Sequence, residues 1–367
     1  MRIIVLGVPH SPTIDPTTST SNSIHPFSEQ VWWFCHMWSK LGHEVIHLGV
    51  PGSNPSCKEH IDVVPKDLWQ EVFGNKSVME MLYIQPNHNP QYSELYIKNL
   101  KEIIKRIGGP EFTSIVAANW GGDQKVACQG LNQFVVEPGI GYRDVWAPYQ
   151  IFCSYAWMHY IMGNTYQVSG DKWYNWIIPQ PVNLDQFGPV TLEKKNYLLY
   201  LGRMTEDKGV RIACQVAREV GIPLILAGRG DPSVFKHDCP TGVTFINNPT
   251  VEKRRELLRY AKATFVPTRY LEPFGAVVLE AGASGCPVIT TDWGAFPETV
   301  SQDFSGYRCR TFKQFLEAVE NIDKINPNDC YNWVKSNYSF DVIADKYNKY
   351  FWALSQIKTG KGWYSLG

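Results

Sequence analysis

Apolar strand-like runs alternate with helical stretches along this chain of 367 residues, and the alternation restarts halfway. The fold class this predicts is α/β, with two Rossmann-like, doubly wound domains. Three observations carry the expectation. Residues 2–7, Arg-Ile-Ile-Val-Leu-Gly, form a mostly apolar run closed by Gly7, as a strand buried on both faces requires. A helical stretch and the strand-like run from His43 to Leu48 then complete a βαβ unit. The third is the restart at Tyr197-Leu198-Leu199-Tyr200-Leu201, which ends at Gly202.

Taken in order, the first strand leads into a Ser/Thr/Pro-rich loop from Pro9 to about Pro26. Ser28-Glu29 opens a helix with Val31, Phe34, Cys35, Trp38 and Leu41 on one face, and Gly42 closes it. Residues 50–95 are rich in Pro, Asn and His and read as an insertion with little regular structure. Tyr96 to Ile107 is an amphipathic helix, Ser114 to Ala118 and Phe134 to Val136 are strands, and Tyr149 to Met162 is an aromatic helix. In the second half, strands are expected at 197–201, 224–228, 243–246, 263–267 and 287–290, with helices at 209–220 and 252–261. The domains are then 1–185 and 186–340, joined near Pro179–Pro189, with a last helix from Asp341 to Ile357 in a segment 341–367 that packs back across both.

Composition narrows the function. Thirty-five basic side chains balance thirty-five acidic ones, so no global field draws the chain to nucleic acid or an anionic membrane. Nucleic acid is therefore not supported as a partner. No run approaches the ~18 apolar residues of a membrane helix, and the first residues enter a strand too early for a signal peptide. The nine cysteines are scattered and never form Cys-x-x-Cys, which suggests free thiols and a cytoplasmic setting. His43-Glu44-Val45-Ile46-His47 matches a zinc pattern, but that chemistry needs a helix, and Val45-Ile46 favour a strand. Nor does a Gly-x-Gly-x-x-Gly follow the first strand, which argues against a dehydrogenase.

The chemistry concentrates in Glu272-Pro273-Phe274-Gly275-Ala276-Val277-Val278-Leu279-Glu280. Glu272 lies in a loop broken by proline and Glu280 in a short helix. Phe274 to Val277 would form its first turn, whose free N–H groups attract phosphate. The segment offers acceptors for hydroxyls and donors for a diphosphate, and a nucleotide sugar needs both. Arg203, past a strand end, and Lys208, at a helix start, would project into the crevice outside the strand carboxyl ends. Alone they would pass for surface cations; upstream of the Glu272–Glu280 segment they read as neutralisers of a leaving diphosphate.

Leu201-Gly202-Arg203-Met204-Thr205-Glu206-Asp207-Lys208-Gly209, Leu226-Ala227-Gly228-Arg229-Gly230 and the Glu272–Ala281 segment together resemble the donor domain of family-4 retaining glycosyltransferases, which have the GT-B fold of two Rossmann-like domains facing a cleft. The resemblance runs from Pro179 to about Phe340; Leu41-Gly42-His43-Glu44-Val45 is similar to the family's first βα unit. It implies that Arg203 and Lys208 contact the donor diphosphate, Glu280 the ribose hydroxyls and Glu272 the donor sugar. The backbone N–H groups of Phe274, Gly275 and Ala276 would bind sugar hydroxyls and the distal phosphate. The loop at Asn247, Thr250 and Val251 would hold the base, and Gly7 with its loop would close over the phosphate. The implied reaction is retaining transfer of a hexosyl or related group from a UDP- or GDP-sugar to an acceptor hydroxyl on a glycan-like acceptor. No cofactor is required beyond that donor. The chain has no Asp-x-Asp pair, so cations and helix dipole would stand in for a metal. The oligomeric state is left open.

One position departs from the family, which usually carries a histidine after the fourth strand. Here Val135-Val136 leads to Glu137-Pro138-Gly139, so Glu137 is a candidate to contact hydroxyls or act as a base, or else a turn carboxylate. Asp123 and His10 are weaker candidates in neighbouring loops. Two alternatives stand beside the transferase: a catalytically silent module that binds a nucleotide sugar or glycan, and a sugar-nucleotide epimerase.

Overall fold

The computed structural model describes residues 1–16, 25–76, 78–81, 89–110, 112–167 and 174–357. The chain divides into two compact units, one of Met1–Phe152, Ser169–Ile178 and Ala344–Gly367 and another of Cys153–Val168 and Pro179–Ile343. Residues 17–24 of the first expected loop, 77 and 82–88 of the expected insertion, and 358–367 of the last expected segment lie outside the described residues.

The first unit opens with β1 (Arg2–Leu6), whose Ile3, Ile4, Val5 and Leu6 are fully buried. Their burial contributes about 6–12 kcal/mol before entropy is counted, at ~1.5–3 kcal/mol per side chain. Helix α1 (Pro26–Lys40) buries Val31, Phe34, Cys35 and Trp38 as the spacing predicts. Leu41 departs from that stripe: the helix ends at Lys40, and Leu41 caps it and is exposed. β2 (Glu44–Gly49) follows, so the two histidines of the zinc-like pattern lie at and before a strand. His47 is buried beside His60, and burial first, then the His60 charge, lowers its pKa to about 3.

The insertion is more regular than its composition suggests. It holds β3 (Glu59–Asp62), α2 (Lys66–Phe73), α3 (Val78–Met81) and the start of α4 (Pro90–Ile107). α4 begins six residues earlier than expected because Asn89 caps it, its side chain accepting the Tyr92 N–H at 3.0 Å. Tyr92, Tyr96, Leu100 and Ile104 then bury one stripe at four-residue spacing. β4 (Ser114–Ala117), α5 (Gly122–Cys128), β5 (Phe134–Ile140) and β6 (Tyr149–Phe152) complete the run. The expected helix at 149–162 is therefore a strand and a shorter helix, α6 (Tyr155–Ile161). Ser154 separates them by capping α6, its hydroxyl accepting the Trp157 N–H at 3.1 Å. With β7 (Trp176–Ile177) the sheet order is β3-β2-β1-β4-β5-β6-β7, all parallel.

α6 itself, expected with the first half, belongs to the second unit. The Ser154 hydroxyl donates to the Pro273 carbonyl at 2.6 Å, and the N–H groups of Tyr155 and Ala156 donate to Glu298 at 2.9 and 3.0 Å. Glu298 thus satisfies two of the donors that a helix start leaves unpaired.

The second unit contains β8 (Leu198–Leu201), α7 (Val210–Val220), β9 (Leu224–Gly228), β10 (Thr244–Asn247), α8 (Val251–Tyr260), β11 (Ala263–Val266) and α9 (Ala276–Ala283). β12 (Val288–Thr291), α10 (Phe296–Thr299), β13 (Gly306–Cys309), α11 (Phe312–Asn321) and α12 (Pro327–Tyr338) follow. The sheet order is β10-β9-β8-β11-β12-β13, again all parallel. Leu198, Tyr200, Leu224, Leu226 and Phe265 form its core with Val210, Ala213 and Val216 of α7. Cys214 and Cys239 are joined in a disulfide, against the expectation of free thiols; the other seven are free. The last helix, α13 (Phe340–Ile357), packs Tyr347 and Phe351 edge-on against Trp38 in the first unit.

Candidate active site

In both sheets the strand order reverses direction once. In the second unit the reversal lies between β8 and β11, the place outside the strand carboxyl ends where open α/β sheets take their ligands. Arg203 and Lys208 lie on the loop after β8, Glu272 on the loop after β11. The loop after β8 is anchored by the Tyr200 hydroxyl, which donates to the Arg203 carbonyl at 2.6 Å. A 3-10 turn, Glu206–Lys208, precedes Gly209 at φ +77. A Cβ at Gly209 would lie 2.0 Å from the Pro267 carbonyl oxygen, so only glycine lets the two loops meet there.

That approach brings three side chains together. The Lys208 ammonium lies 2.8 Å from Glu272 Oε2, and the Tyr270 hydroxyl donates to the same oxygen at 2.9 Å. The ammonium also lies 4.7 Å from the Tyr270 ring centroid. Burial alone would lower the Lys208 pKa, but the charge and hydrogen bond of Glu272, with Tyr270, raise it above the lysine range. Arg203 is exposed and helps hold the Asp207 carboxyl below its ordinary value, after the larger effect of the Thr205 side chain.

Beside this cluster stands the start of α9. The helix begins at Ala276, two residues later than the sequence suggests, because Gly275 takes φ +81 as its N-cap. A Cβ at Gly275 would lie 2.8 Å from the Phe296 ring. The amides of Ala276 and Val277 occupy the first turn, where a helix supplies no internal acceptor. Phe274 is buried, its ring 6.3 Å from that of Tyr338. One turn on, the Glu280 carboxylate is held by the Arg254 guanidinium of α8. Asn247 ends β10, Thr250 caps α8 by accepting the Lys253 N–H at 3.2 Å, and the exposed Val251 begins that helix. Sequence reasoning missed Tyr270 and Arg254. Tyr270 lies two residues from Glu272, and Arg254 lies within the basic run Lys253-Arg254-Arg255.

In the first unit the reversal lies between β1 and β4. Gly7 follows β1 with its peptide fully engaged: its N–H donates to the Leu48 carbonyl at 2.7 Å, and its carbonyl accepts the Gln124 side chain at 2.8 Å. Glu137 is buried, and both its oxygens are taken by its own segment. Tyr142 OH donates to one at 2.7 Å, and the Trp146 and Ala147 N–H groups donate to the other at 2.9 and 3.0 Å. Burial pushes its pKa up, and these donors oppose the shift. Asp123 accepts the Ser93 hydroxyl at 3.3 Å, while His10 packs edge-on against Trp120. Among the described residues no group of three or more His, Cys, Asp or Glu side chains is arranged to hold a metal ion.

Residues 184–338 match the protein family described as "Glycosyl transferases group 1", and these residues carry the crevice and α9. A segment of this chain is 32% identical over 123 residues to a glycogen synthase of Mycobacterium tuberculosis, covering 30% of each chain. Another is 30% identical over 127 residues to an uncharacterized glycosyltransferase of Methanocaldococcus jannaschii, covering 31% of this chain and 32% of that one. The matches thus span about a third of these relatives' length. Among solved structures, sucrose-phosphate synthase from Thermosynechococcus elongatus superposes with a TM-score of 0.65 at 16% identity, over 98% of this chain and 100% of that one. Anabaena HepE in complex with UDP-glucose superposes with a TM-score of 0.62 at 12% identity, over 95% and 98%. The fold is GT-B: two parallel-sheet, Rossmann-like α/β domains. No described helix is long and apolar enough to cross a membrane.

Proposed function

We propose that this chain is a nucleotide-sugar-dependent glycosyltransferase of the family-4, retaining type, and that its second unit binds the donor. The observation that carries the reading is the Lys208–Glu272–Tyr270 cluster at the strand-order reversal, beside the first turn of α9. Lys208 and Arg203 neutralise the diphosphate as the glycosidic bond breaks. The α9 amides of Ala276 and Val277 hold phosphate or sugar oxygens, with Gly275 and Phe274 shaping the turn. Glu272 accepts a hydroxyl of the donor sugar. Glu280, oriented by Arg254, accepts the ribose hydroxyls. The segment Asn247–Val251 borders the base.

In this reading two cations and a helix dipole do the work a metal ion would do elsewhere, so transfer proceeds without one. Lys208 is held by Glu272 before donor arrives, and the phosphate then shares a cation already in place. Such pre-organisation stabilises the transition state because no group must be reoriented when charge develops. The leaving phosphate assists removal of the acceptor proton, and transfer occurs on one face of the sugar. Of the readings open for Glu137, contact with hydroxyls, a base or a turn carboxylate, its hydrogen bonds to residues 142–147 support the last. Similarity to HepE, solved with UDP-glucose, favours a UDP-sugar, and a glycan hydroxyl is the acceptor class we assign.

A donor panel in the presence of a chelator tests the reading. UDP-, GDP- and ADP-sugars are incubated with the protein, and nucleoside diphosphate release is followed. Slow release from one donor, unaffected by chelation and abolished in Lys208→Met, is expected. Tight binding without release would make the chain a silent module, and conversion of the sugar without release would make it an epimerase.

A further inference from the structure

The loop that carries Glu272 is pinned along its main chain by the end of β12 and the loop after it. The Thr291 hydroxyl donates to the Thr268 carbonyl at 2.7 Å and the Trp293 indole N–H to the Tyr270 carbonyl at 3.3 Å. The Ala295 N–H donates to the Glu272 carbonyl at 2.9 Å. With the backbone held at every second residue, the aim of the Glu272 carboxylate is left to its side-chain contacts.

Those contacts are lopsided. The Lys208 ammonium at 2.8 Å and the Tyr270 hydroxyl at 2.9 Å both donate to Oε2, while Oε1 accepts no hydrogen bond among the described residues. The Glu272 side chain keeps 11% of its surface open. One oxygen is thus held and the other is left as an acceptor, which is what recognition of a sugar hydroxyl needs. Of the two contacts at Oε2, the one from Lys208 weakens when a diphosphate shares the ammonium. The Tyr270 hydroxyl carries no charge to share, and it stays a donor because burial first, then the Glu272 charge, pushes its pKa up. The ring of the same residue tethers the other partner, its centroid 4.7 Å from the Lys208 ammonium. One side chain therefore touches both members of the pair, through separate parts of itself.

Resting on the donor reading above, we propose that Tyr270 is a positioning residue for transfer: its hydroxyl keeps Glu272 Oε1 turned to a donor-sugar hydroxyl while Lys208 meets the diphosphate, and its ring steadies Lys208. Tyr270→Phe removes the hydroxyl and keeps the ring; Tyr270→Leu removes both. UDP affinity is measured by calorimetry on the full chain. kcat/KM is measured from UDP release with UDP-glucose, UDP-galactose and UDP-N-acetylglucosamine. For the donor the wild type cleaves best, Tyr270→Phe should lower kcat/KM by about tenfold, the loss of one hydrogen bond to a charged group, and move UDP affinity by less than about twofold. Tyr270→Leu should lower both quantities. In a Glu272→Ala background Tyr270→Phe should cost nothing further, because the carboxylate through which it acts is gone. Should Glu272→Ala fail to fold, Glu272→Leu, closer in bulk, takes its place. A wild-type kcat/KM in Tyr270→Phe, equal losses in kcat/KM and UDP affinity, or a loss undiminished without Glu272 would overturn the positioning role. Identical behaviour of Tyr270→Phe and Tyr270→Leu would overturn the part given to the ring. A wild type that fails to bind UDP, or releases it from none of the three donors, would instead sink the donor reading and this inference with it.

Discussion

Removal of the Lys208 ammonium should expose how much of the crevice is held by one ion pair. The side chains of Lys208 and Glu272 are 22% and 11% exposed and meet at 2.8 Å. At an effective dielectric of ~20 the Coulomb attraction at that separation is about 6 kcal/mol, most of which desolvation offsets. Truncating one partner is a different matter, because Glu272 is left buried and, among the described residues, keeps the Tyr270 hydroxyl as its side-chain donor. Lys208→Met should therefore cost about 3 kcal/mol in urea unfolding, the low end for a buried pair because Lys208 keeps some contact with water. Glu272→Gln should cost about as much. The double variant should cost no more than either single variant, giving a coupling of about 3 kcal/mol. Turnover behaves otherwise: every variant lacking Lys208 should lose about 10²–10³-fold in donor cleavage, since the missing cation acts on charge developing in the transition state. The raised lysine pKa keeps this stabilisation whole at neutral pH and loses it only as pH rises through the folded value, above the ordinary lysine range. A double variant whose loss equals the sum of the two single losses would refute the pairing. Turnover of Lys208→Met at the wild-type rate would refute the role.

Glu280→Ala should weaken nucleoside diphosphate binding by about 10–100-fold, the loss of one or two hydrogen bonds to a charged acceptor. Arg254→Gln should weaken it less, and calorimetry on the two single variants and their combination should show non-additive losses. Gly275→Ala should lower stability by about 2 kcal/mol or more, from positive φ and the clash with Phe296, read as a fall in urea midpoint. His47 and His25 are buried with pKa values lowered to about 3 and about 4, in each case foremost by burial. Their neutral forms support the fold above pH ~6.5, and this support is lost as pH falls toward those folded values, at up to about 1.4 kcal/mol per unit for each. His47→Gln should flatten the acid limb of the stability curve, and an unchanged slope would remove His47 as a cause.

Much of this was legible before the structure. Four consecutive apolar residues closed by Gly7 could only be a two-sided buried strand, and they are. The loops that carry Lys208 and Glu272 were readable because glycine and proline mark their ends, and the structure brings the two side chains together. Arg254 was not, because three basic residues in a row are equivalent until the phase of α8 decides which one meets Glu280. β3 was invisible because Glu-His-Ile-Asp is an edge strand with no apolar alternation. The merging of β6 with α6 was avoidable: Ser154 stands three residues before Trp157 as an N-cap, a signal outweighed by the continuous aromatic run. Glu137 shows the limit of reasoning by position. Expected just past a strand end, Glu137 lies within β5, and the amides of Trp146 and Ala147 claim it.

The central claim is that the loops after β8 and β11, with the start of α9, hold a nucleoside diphosphate. A crystal structure with bound UDP tests it most directly. The account predicts phosphate oxygens within hydrogen-bond distance of the Lys208 ammonium and the Ala276 or Val277 amide, with the ribose on Glu280. Nucleotide bound to the protein without contact to any of these four residues would contradict it.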